Sequence, residues 1–409
     1  MPNETLAIDG GAPVRDKPFH AWPIYDEREE KALLRALHSG AWGASGEETT
    51  QFEREFAQAV GAKYAFAVPT GTAALETALF AIDIGYGDEV IIPPYTFVAT
   101  ANACLLRGAL PVFADIDPQT FNLDPRAIES KITPRTRAIM PVHIGGCPAN
   151  LDAIIEIARR HDLRVIEDAA QAHGARWKNR PVGAIGDLGG FSFQSSKNIN
   201  CGEGGAVVTD DDELAERCES FRNYGRTRGG QWYQHDKVGT NFRMTQFQAA
   251  ILRAQLERME DWAQRRQENG DYLFDGLREL GLAPQEREAG VSRHAYHVLI
   301  VRYNSEAFGD WPHERFMEAL CAEGVPTTRG YFPLYRSEGV QSGTRDLARF
   351  IGNDNVAAPQ CPVADQLCDG EAVWLCGQSA LLGTRQDMDD ILRAVRKIQR
   401  AANINPQKS

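Results

Sequence analysis

Between about residues 60 and 225 short apolar runs alternate with amphipathic stretches, and this alternation constrains the fold more than any other feature of the chain. Residues 65–68, 89–92, 110–114, 137–142, 163–166, 190–193 and 206–209 read as strands. Helices fall between them. One opens near Gly71 and Thr72, and another covers 99–107. A third carries Leu151, Ile154, Ile155 and Ala158 on one face, with Asn150 as its N-cap. A fourth covers 211–222 with Leu214, Cys218 and Phe221 on one face. Strands that alternate with helices give an α/β fold, a mostly parallel sheet sandwiched by helices. Ligands in such sheets bind beyond the carboxyl ends of the strands, so chemistry is to be sought there.

The rest of the chain predicts a second, smaller unit. A long helical stretch, 246–269, is followed by a strand-like run at 296–303 and a helix at 314–323. A last helix carries Met388, Ile391, Leu392, Val395 and Ile398 as an apolar stripe. Residues 330–370, rich in Pro, Gly and Asp, read as loop. The expected division is an N-terminal arm at 1–20, a large domain at 21–264, a small C-terminal α+β domain at 265–402 and a frayed end at 403–409.

Charge and composition exclude several classes. Lys and Arg number 44 against 56 Asp and Glu, a net charge of −12 that repels phosphate backbones and anionic lipids. Neither nucleic acid nor membrane is an expected partner. No run approaches the roughly 18 apolar residues of a membrane span, and residues 1–20 are polar, so the cytoplasm is the expected compartment. The eight Cys are scattered without a C-x-x-C pair and read as buried apolar groups. His294 and His297, three apart in a strand-like stretch, would face opposite ways, and no metal site is expected.

Four segments sit where strands end. Pro69-Thr70-Gly71-Thr72 turns a strand into a helix, which suits a phosphate, although an ordinary N-cap looks the same. The strand at 163–166 ends in Glu167 and Asp168, followed by Gln171 and His173. An acid there can ligate a metal, bind a ribose, hold a protonated ring nitrogen, or simply cap a turn. Ser192 and Lys197 follow, the lysine 29 residues after Asp168, and then Gly202-Glu203-Gly204-Gly205. A lysine in such a place can lose its proton and act as a nucleophile, though most lysines are solvated charges. Gly239-Thr240-Asn241-Phe242-Arg243 reads as a polar turn entering the long helix. A phosphate cradle, a carboxylate and a lysine on one sheet edge are what pyridoxal phosphate requires.

With these segments the chain resembles the DegT-type sugar aminotransferases, a branch of the fold-type I pyridoxal-phosphate enzymes. The motifs are Thr70-Gly71-Thr72-Ala73-Ala74-Leu75, Pro93-Pro94-Tyr95-Thr96-Phe97, Pro141-Val142-His143, Glu167-Asp168 with Gln171-Ala172-His173-Gly174, Phe191-Ser192-Phe193 with Lys197, and Asn241-Phe242-Arg243-Met244. The resemblance implies that Lys197 binds the cofactor covalently and moves the proton. It also implies that Asp168 pairs with the pyridinium nitrogen, Gln171 lies near the ring hydroxyl, Phe97 stacks on the ring, and Gly71, Thr72 and Ser192 hold the phosphate. Asn241 would reach the phosphate of the other subunit, which makes the enzyme a homodimer with shared sites.

Within the family, the segments around Lys197 and His173 look most like the branch that aminates keto-cyclitols of the scyllo-inosose type in aminoglycoside biosynthesis, with glutamine or glutamate as amino donor. Aminohydroxybenzoate synthases share much of this sequence. Aminotransferases of nucleotide-linked keto-sugars commonly carry Tyr-x-Pro-Leu-His, where this chain reads Tyr331-Phe332-Pro333-Leu334-Tyr335. Tyr331 is a candidate substrate contact and equally a buried loop aromatic, and His143 and His173 are candidate pocket residues or structural histidines. The related dehydratases replace the lysine by histidine, which Lys197 argues against. A non-catalytic sensor on the same fold would not need the whole cofactor set. A dinucleotide oxidoreductase would open its first strand–helix turn with Gly-x-Gly-x-x-Gly, which is missing here.

Overall fold

The computed structural model describes residues 5–44, 46–227, 229–231, 233–352, 358–375 and 379–404. Its centre is a seven-stranded sheet. In chain order the strands are β1 (Tyr64–Val68), β2 (Glu89–Ile92), β3 (Leu110–Phe113), β4 (Thr136–Ile139), β5 (Arg164–Asp168), β6 (Leu188–Ser192) and β7 (Gly205–Thr209). Across the sheet they lie in the order β1-β7-β6-β5-β4-β2-β3. All neighbours are parallel except β7, which runs against both β1 and β6. Six carboxyl ends therefore share one edge, and the start of β7 joins them there.

The strands are mostly apolar because both faces are covered. Phe66, Val68, Val90, Ile92, Ala138, Ile166 and Val207 enter one core; on the other face Ala65, Ala67, Ala206 and Val208 enter a second core, and Ile91, Ile139 and Val165 a third. The helix Leu151–Arg160 starts as expected, with the Asn150 side chain accepting from Ala153 N–H. Asp211 caps Asp212–Arg222 in the same way.

A second, four-stranded antiparallel sheet lies in the C-terminal part. Its strands are β8 (Ala283–Pro284), β9 (Leu299–Arg302), β10 (Thr327–Thr328) and β11 (Ala372–Leu375), in the order β8-β9-β11-β10. The stripe Met388, Ile391, Leu392, Val395 and Ile398 is fully buried against it and against Leu273 and Leu277. The N-terminal segment docks here too. Ala7 and Val14 N–H donate to the Glu323 carboxylate, and Arg15 pairs with Asp387 and Asp390.

Several expectations need correction. The long helix is two, Gln246–Leu256 and Met259–Glu279, and the second runs ten residues past the expected end at 269. At the break Arg258 reaches across to Asp26 and Glu29. Residues 330–370 are not all loop: Glu338–Phe350 and Pro362–Gly370 are helices. Gly339 and Gly343 lower the intrinsic propensity of the first, and burial of Val340 and Ala348 overrides it. The helices Glu27–His38 and Glu47–Val60 precede the region whose periodicity was legible. The strand expected at 296–303 shrinks to β9, because Tyr296 takes a left-handed φ of 44°. The final helix runs to Ile404, and the remainder of the 403–409 stretch lies outside the described residues. Among the described residues the cysteines are free, no helix is long and apolar enough to cross a membrane, and no His, Cys, Asp or Glu cluster fits a metal.

Candidate active site

The shared edge of the large sheet opens into a cavity of about 690 Å³. β1 delivers the first wall. The chain leaves Val68, and Thr70 caps the helix Gly71–Ala81 through its hydroxyl, which accepts from Ala73 N–H at 3.0 Å. That leaves the first-turn N–H groups of Gly71 and Thr72 at the cavity, where the helix end favours an anion. A Cβ on Gly71 would sit 2.6 Å from Ser192 Cβ, and one on Gly205 would meet the Thr70 carbonyl at 2.2 Å. The close approach of β1, β6 and β7 therefore requires glycine at both places, and it brings Ser192 beside the helix start.

β5 delivers the carboxylate. Asp168 is the last residue of the strand and is 5% exposed. Its Oδ2 accepts from Thr100 Oγ1 at 2.8 Å, and its Oδ1 from Ala170 N–H at 3.2 Å. Burial pushes its pKa above the ordinary value, while the Thr100 bond, the Ala170 N–H and the Lys197 charge pull the other way. Lys197 lies on the turn after β6, where its N–H donates to Gln194 O at 2.8 Å. Burial lowers the pKa of its amine and the Asp168 charge opposes that shift. An amine with a lowered pKa is the form that attacks a carbonyl.

Gln171 is held on both sides. Its Oε1 accepts from Gly145 N–H at 2.7 Å, and its Nε2 donates to Tyr331 Oη at 3.0 Å. Tyr331 stands edge-on to Trp374, with ring centroids 4.7 Å apart, and burial pushes its phenol pKa upward. The Phe97 ring, half exposed, lies 6.0 Å from Tyr331. Gly71, Thr72, Phe97, Asp168, Gln171, Ser192, Lys197 and Tyr331 all line one cavity. An anion cradle, a carboxylate, a half-buried amine and a flat aromatic face match the phosphate, ring nitrogen, aldehyde and ring of pyridoxal phosphate, so the residues fit that group.

Three candidates do not line this cavity. His143 is fully buried behind it: Nδ1 accepts from Ala149 N–H at 3.1 Å, which leaves Nε2 to donate to Glu167 at 3.0 Å. His173 packs between Phe191 and Phe193, and burial lowers its pKa to about 3. Both are structural histidines, buried behind the cavity. Asn241 is exposed, forms a bridge with Asn223 and is not part of the cavity lining.

The sequence reading missed Thr100, Trp374 and His297. Thr100 lies one helical turn beyond Thr96, a spacing that carries no chemical signal by itself. Trp374 comes from the small sheet, more than 170 residues from Lys197 in sequence. Tyr335 is turned away from the cavity, toward Asp365 and the Phe113 ring.

Glu167, beside Asp168, is the structural half of the acidic pair. Its carboxylate is wholly buried and accepts from the N–H groups of Gly183, Ile185 and Gly186, each at 2.7 Å, besides His143. These partners hold its pKa below the ordinary 4.5 despite burial. The unfolded chain therefore takes up the proton first as pH falls, so the stabilisation is present above about 4.5 and is lost at lower pH. Glu167→Ala strands these donors and is expected to cost about 3 kcal/mol or more, read as a lower urea midpoint. The midpoint gap between wild type and Glu167→Gln should narrow as the pH drops below 4.5.

The sequence profile described as the DegT/DnrJ/EryC1/StrS aminotransferase family matches residues 23–396. The chain is 40% identical to L-glutamine:2-deoxy-scyllo-inosose aminotransferase of Micromonospora echinospora, across 96% of this chain and 97% of that protein. It is 39% identical to L-glutamine:scyllo-inosose aminotransferase of Streptomyces griseus, across 97% of this chain and 98% of that one. The crystal structure of 3-amino-5-hydroxybenzoic acid synthase superposes with a TM-score of 0.84 at 34% identity, covering 95% of this chain and 99% of that one. The chain belongs to the DegT/DnrJ/EryC1/StrS family and is a pyridoxal-phosphate-dependent aminotransferase.

Proposed function

We propose that this enzyme moves an amino group from glutamine or glutamate to a keto-cyclitol of the scyllo-inosose type, in aminocyclitol or aminoglycoside biosynthesis. One observation carries the choice of acceptor. Besides the residues assigned to the cofactor, the cavity is lined by the uncharged side chains of Thr96, Gln194, Thr327, Thr328, Tyr331 and Trp374, with Glu203 as its further acid. Neutral donors and acceptors of this kind suit an uncharged polyol. The names of the relatives compared above, which act on scyllo-inosose and its 2-deoxy form, support the same reading.

Each residue then has a task. Gly71, Thr72 and Ser192 would hold the cofactor phosphate, Phe97 would cover its ring, Gln171 would lie by the ring hydroxyl, and Asp168 would pair with the ring nitrogen. When bound, pyridoxal phosphate supplies the electron sink that makes a substrate C–H acidic. Lys197 would hold the cofactor, and its amine would carry the proton at the reacting carbon. Tyr331, with its hydroxyl already fixed by Gln171, contacts the substrate.

The test is a spectral half-reaction. Enzyme loaded with pyridoxamine phosphate is offered scyllo-inosose, 2-deoxy-scyllo-inosose, a nucleotide-linked keto-sugar and an aminohydroxybenzoate-type keto precursor. Return of the aldehyde absorbance with the first two is the expected result. Return only with the nucleotide-linked sugar or the benzoate precursor would replace the proposed acceptor.

The same reading makes the enzyme a cytoplasmic homodimer with shared sites, divided into the arm, large domain and small domain set out from the sequence. Asn241, exposed and not part of its own cavity's lining, supports this, as do the exposed Leu33, Leu34, Leu37 and Trp42 near the N-terminus. Asn241→Ala should weaken cofactor retention about tenfold, the cost of roughly one hydrogen bond to a charged group. Mixed dimers with a chain carrying Lys197→Ala should regain one working site. If mixing restores nothing, Asn241 does not act across subunits.

A further inference from the structure

Lys197 sits in the excursion that joins β6 to β7, and much of that excursion's shape comes from its own bonds. Lys197 N–H closes on Gln194 O and Ser195 N–H on Gly202 O, each at 2.8 Å, and Cys201 N–H closes on Phe193 O at 3.0 Å. Ser196 N–H donates to Gln194 Oε1 at 2.8 Å. Bonds between such near neighbours set the form of a turn, not where the turn lies over the sheet. Two bonds to distant residues flank the lysine and fix its place. Asn198 Nδ2 donates to Ala295 O at 3.0 Å on one side, and Trp22 Nε1 donates to Ser195 O at 2.8 Å on the other.

Trp22 is itself firmly held. Its ring packs against Trp262 with centroids 5.7 Å apart, and the Arg266 guanidinium lies 5.2 Å from its centroid. Both partners belong to the helix Met259–Glu279, and Arg266 is buried in it. The chain is tied down before and after Trp22. Arg15 pairs with Asp387 and Asp390, and Gln255 Nε2 donates to Ile24 O at 3.0 Å. The indole is therefore a rigid post, and its one donor reaches the residue two before Lys197. Ser195 is exposed and Trp22 half-buried, so the net worth of the bond is the ordinary value of about 1 kcal/mol. A small value suffices, because a reacting group displaced by about 1 Å can lose about 10²-fold in rate.

We propose that Trp22 is a positioning residue for the reaction: its indole N–H pins the turn at Ser195 and so keeps the Lys197 amine in register with the cavity. The inference rests on the reading above that Lys197 carries the cofactor, and it adds the residue that seats the lysine. Full-length Trp22→Phe keeps an aromatic ring beside Trp262 and Arg266 and deletes the N–H. Its kcat should fall about fivefold in both half-reactions, the weight of one hydrogen bond, with KM for each substrate within about twofold of wild type. A second readout needs no turnover. In the apoenzyme, the pH at which the rate of pyridoxal phosphate attachment levels off should move up toward 10.5, because a turn freed at Ser195 lets the amine reach water, which favours its charged form. The benzothienyl analogue of tryptophan placed at position 22 keeps the bicyclic shape without the N–H, and it decides the matter where the phenylalanine variant does not fold. A levelling-off pH unmoved from wild type would overturn the proposal even if turnover falls, since a merely structural Trp22 lowers stability and turnover together. An unchanged kcat would overturn it too. Wild-type enzyme in which borohydride fixes no cofactor would instead overturn the role of Lys197, and this inference with it.

Discussion

Lys197→Ala should abolish both half-reactions, lowering turnover by at least about 10⁴-fold, as expected when nucleophile and proton carrier are one group. The lost amine is the one whose pKa burial has lowered, which gives wild type a second signature. Reconstitution of the apoenzyme with pyridoxal phosphate depends on the neutral amine. Its rate should rise with pH and level off before the ordinary lysine pKa of 10.5. The sign follows from linkage. Between the lowered pKa and 10.5 the unfolded chain holds a proton that the folded chain has released, so the apoenzyme gains stability as pH rises through that window. Borohydride should fix the cofactor to wild type and not to the variant, read as the mass of the intact chain. A variant that keeps transamination, or still retains the cofactor after borohydride, would remove Lys197 from the mechanism.

Asp168→Asn is the second large effect, expected at about 10²–10³-fold in kcat, the scale for losing one charge aimed at a reacting system. The replacement keeps the shape and one of the two acceptor oxygens, so it gives up the bond from Thr100 or the one from Ala170 N–H and should leave the fold intact. What disappears is the charge that, on the proposed reading, would face the ring nitrogen. Burial alone pushes this carboxyl toward its neutral form, and a cation facing it reverses the balance. The variant should therefore bind pyridoxal phosphate more weakly, with the absorbance of an unprotonated ring. Activity within threefold of wild type would show that Asp168 serves packing instead. Thr100→Val, which removes the bond to Oδ2, should move the same spectrum in the same direction by less.

Strand and helix alternation across the large sheet was legible because a sheet buried on both faces leaves continuous apolar runs, and each crossover helix leaves an amphipathic one. The elements missed were those whose local signal is weak. Glu338–Phe350 contains two glycines and is helical because its Val340 and Ala348 find a buried surface. The break after Leu256 comes from long-range ion pairs of Arg258 that no window of sequence contains. The acidic pair divides in the same way. Its position at a strand end could be read from the chain, while the choice of Asp168 over Glu167 rested on the family resemblance and not on the local pattern. Neighbouring residues in a strand point to opposite faces, and only the packed sheet says which face is the site.

Sequence alone determined that a lysine, a carboxylate and a helix start would meet at one sheet edge, because the order of strands and their endpoints is a local property. Only the tertiary structure decided what surrounds them. It buried His143 and His173 behind the cavity, placed His297 in its lining, and brought Trp374 from the small sheet against Tyr331. These placements depend on contacts between residues far apart in the chain, and their energy comes from burial and hydrogen bonding that exist only once the core has formed.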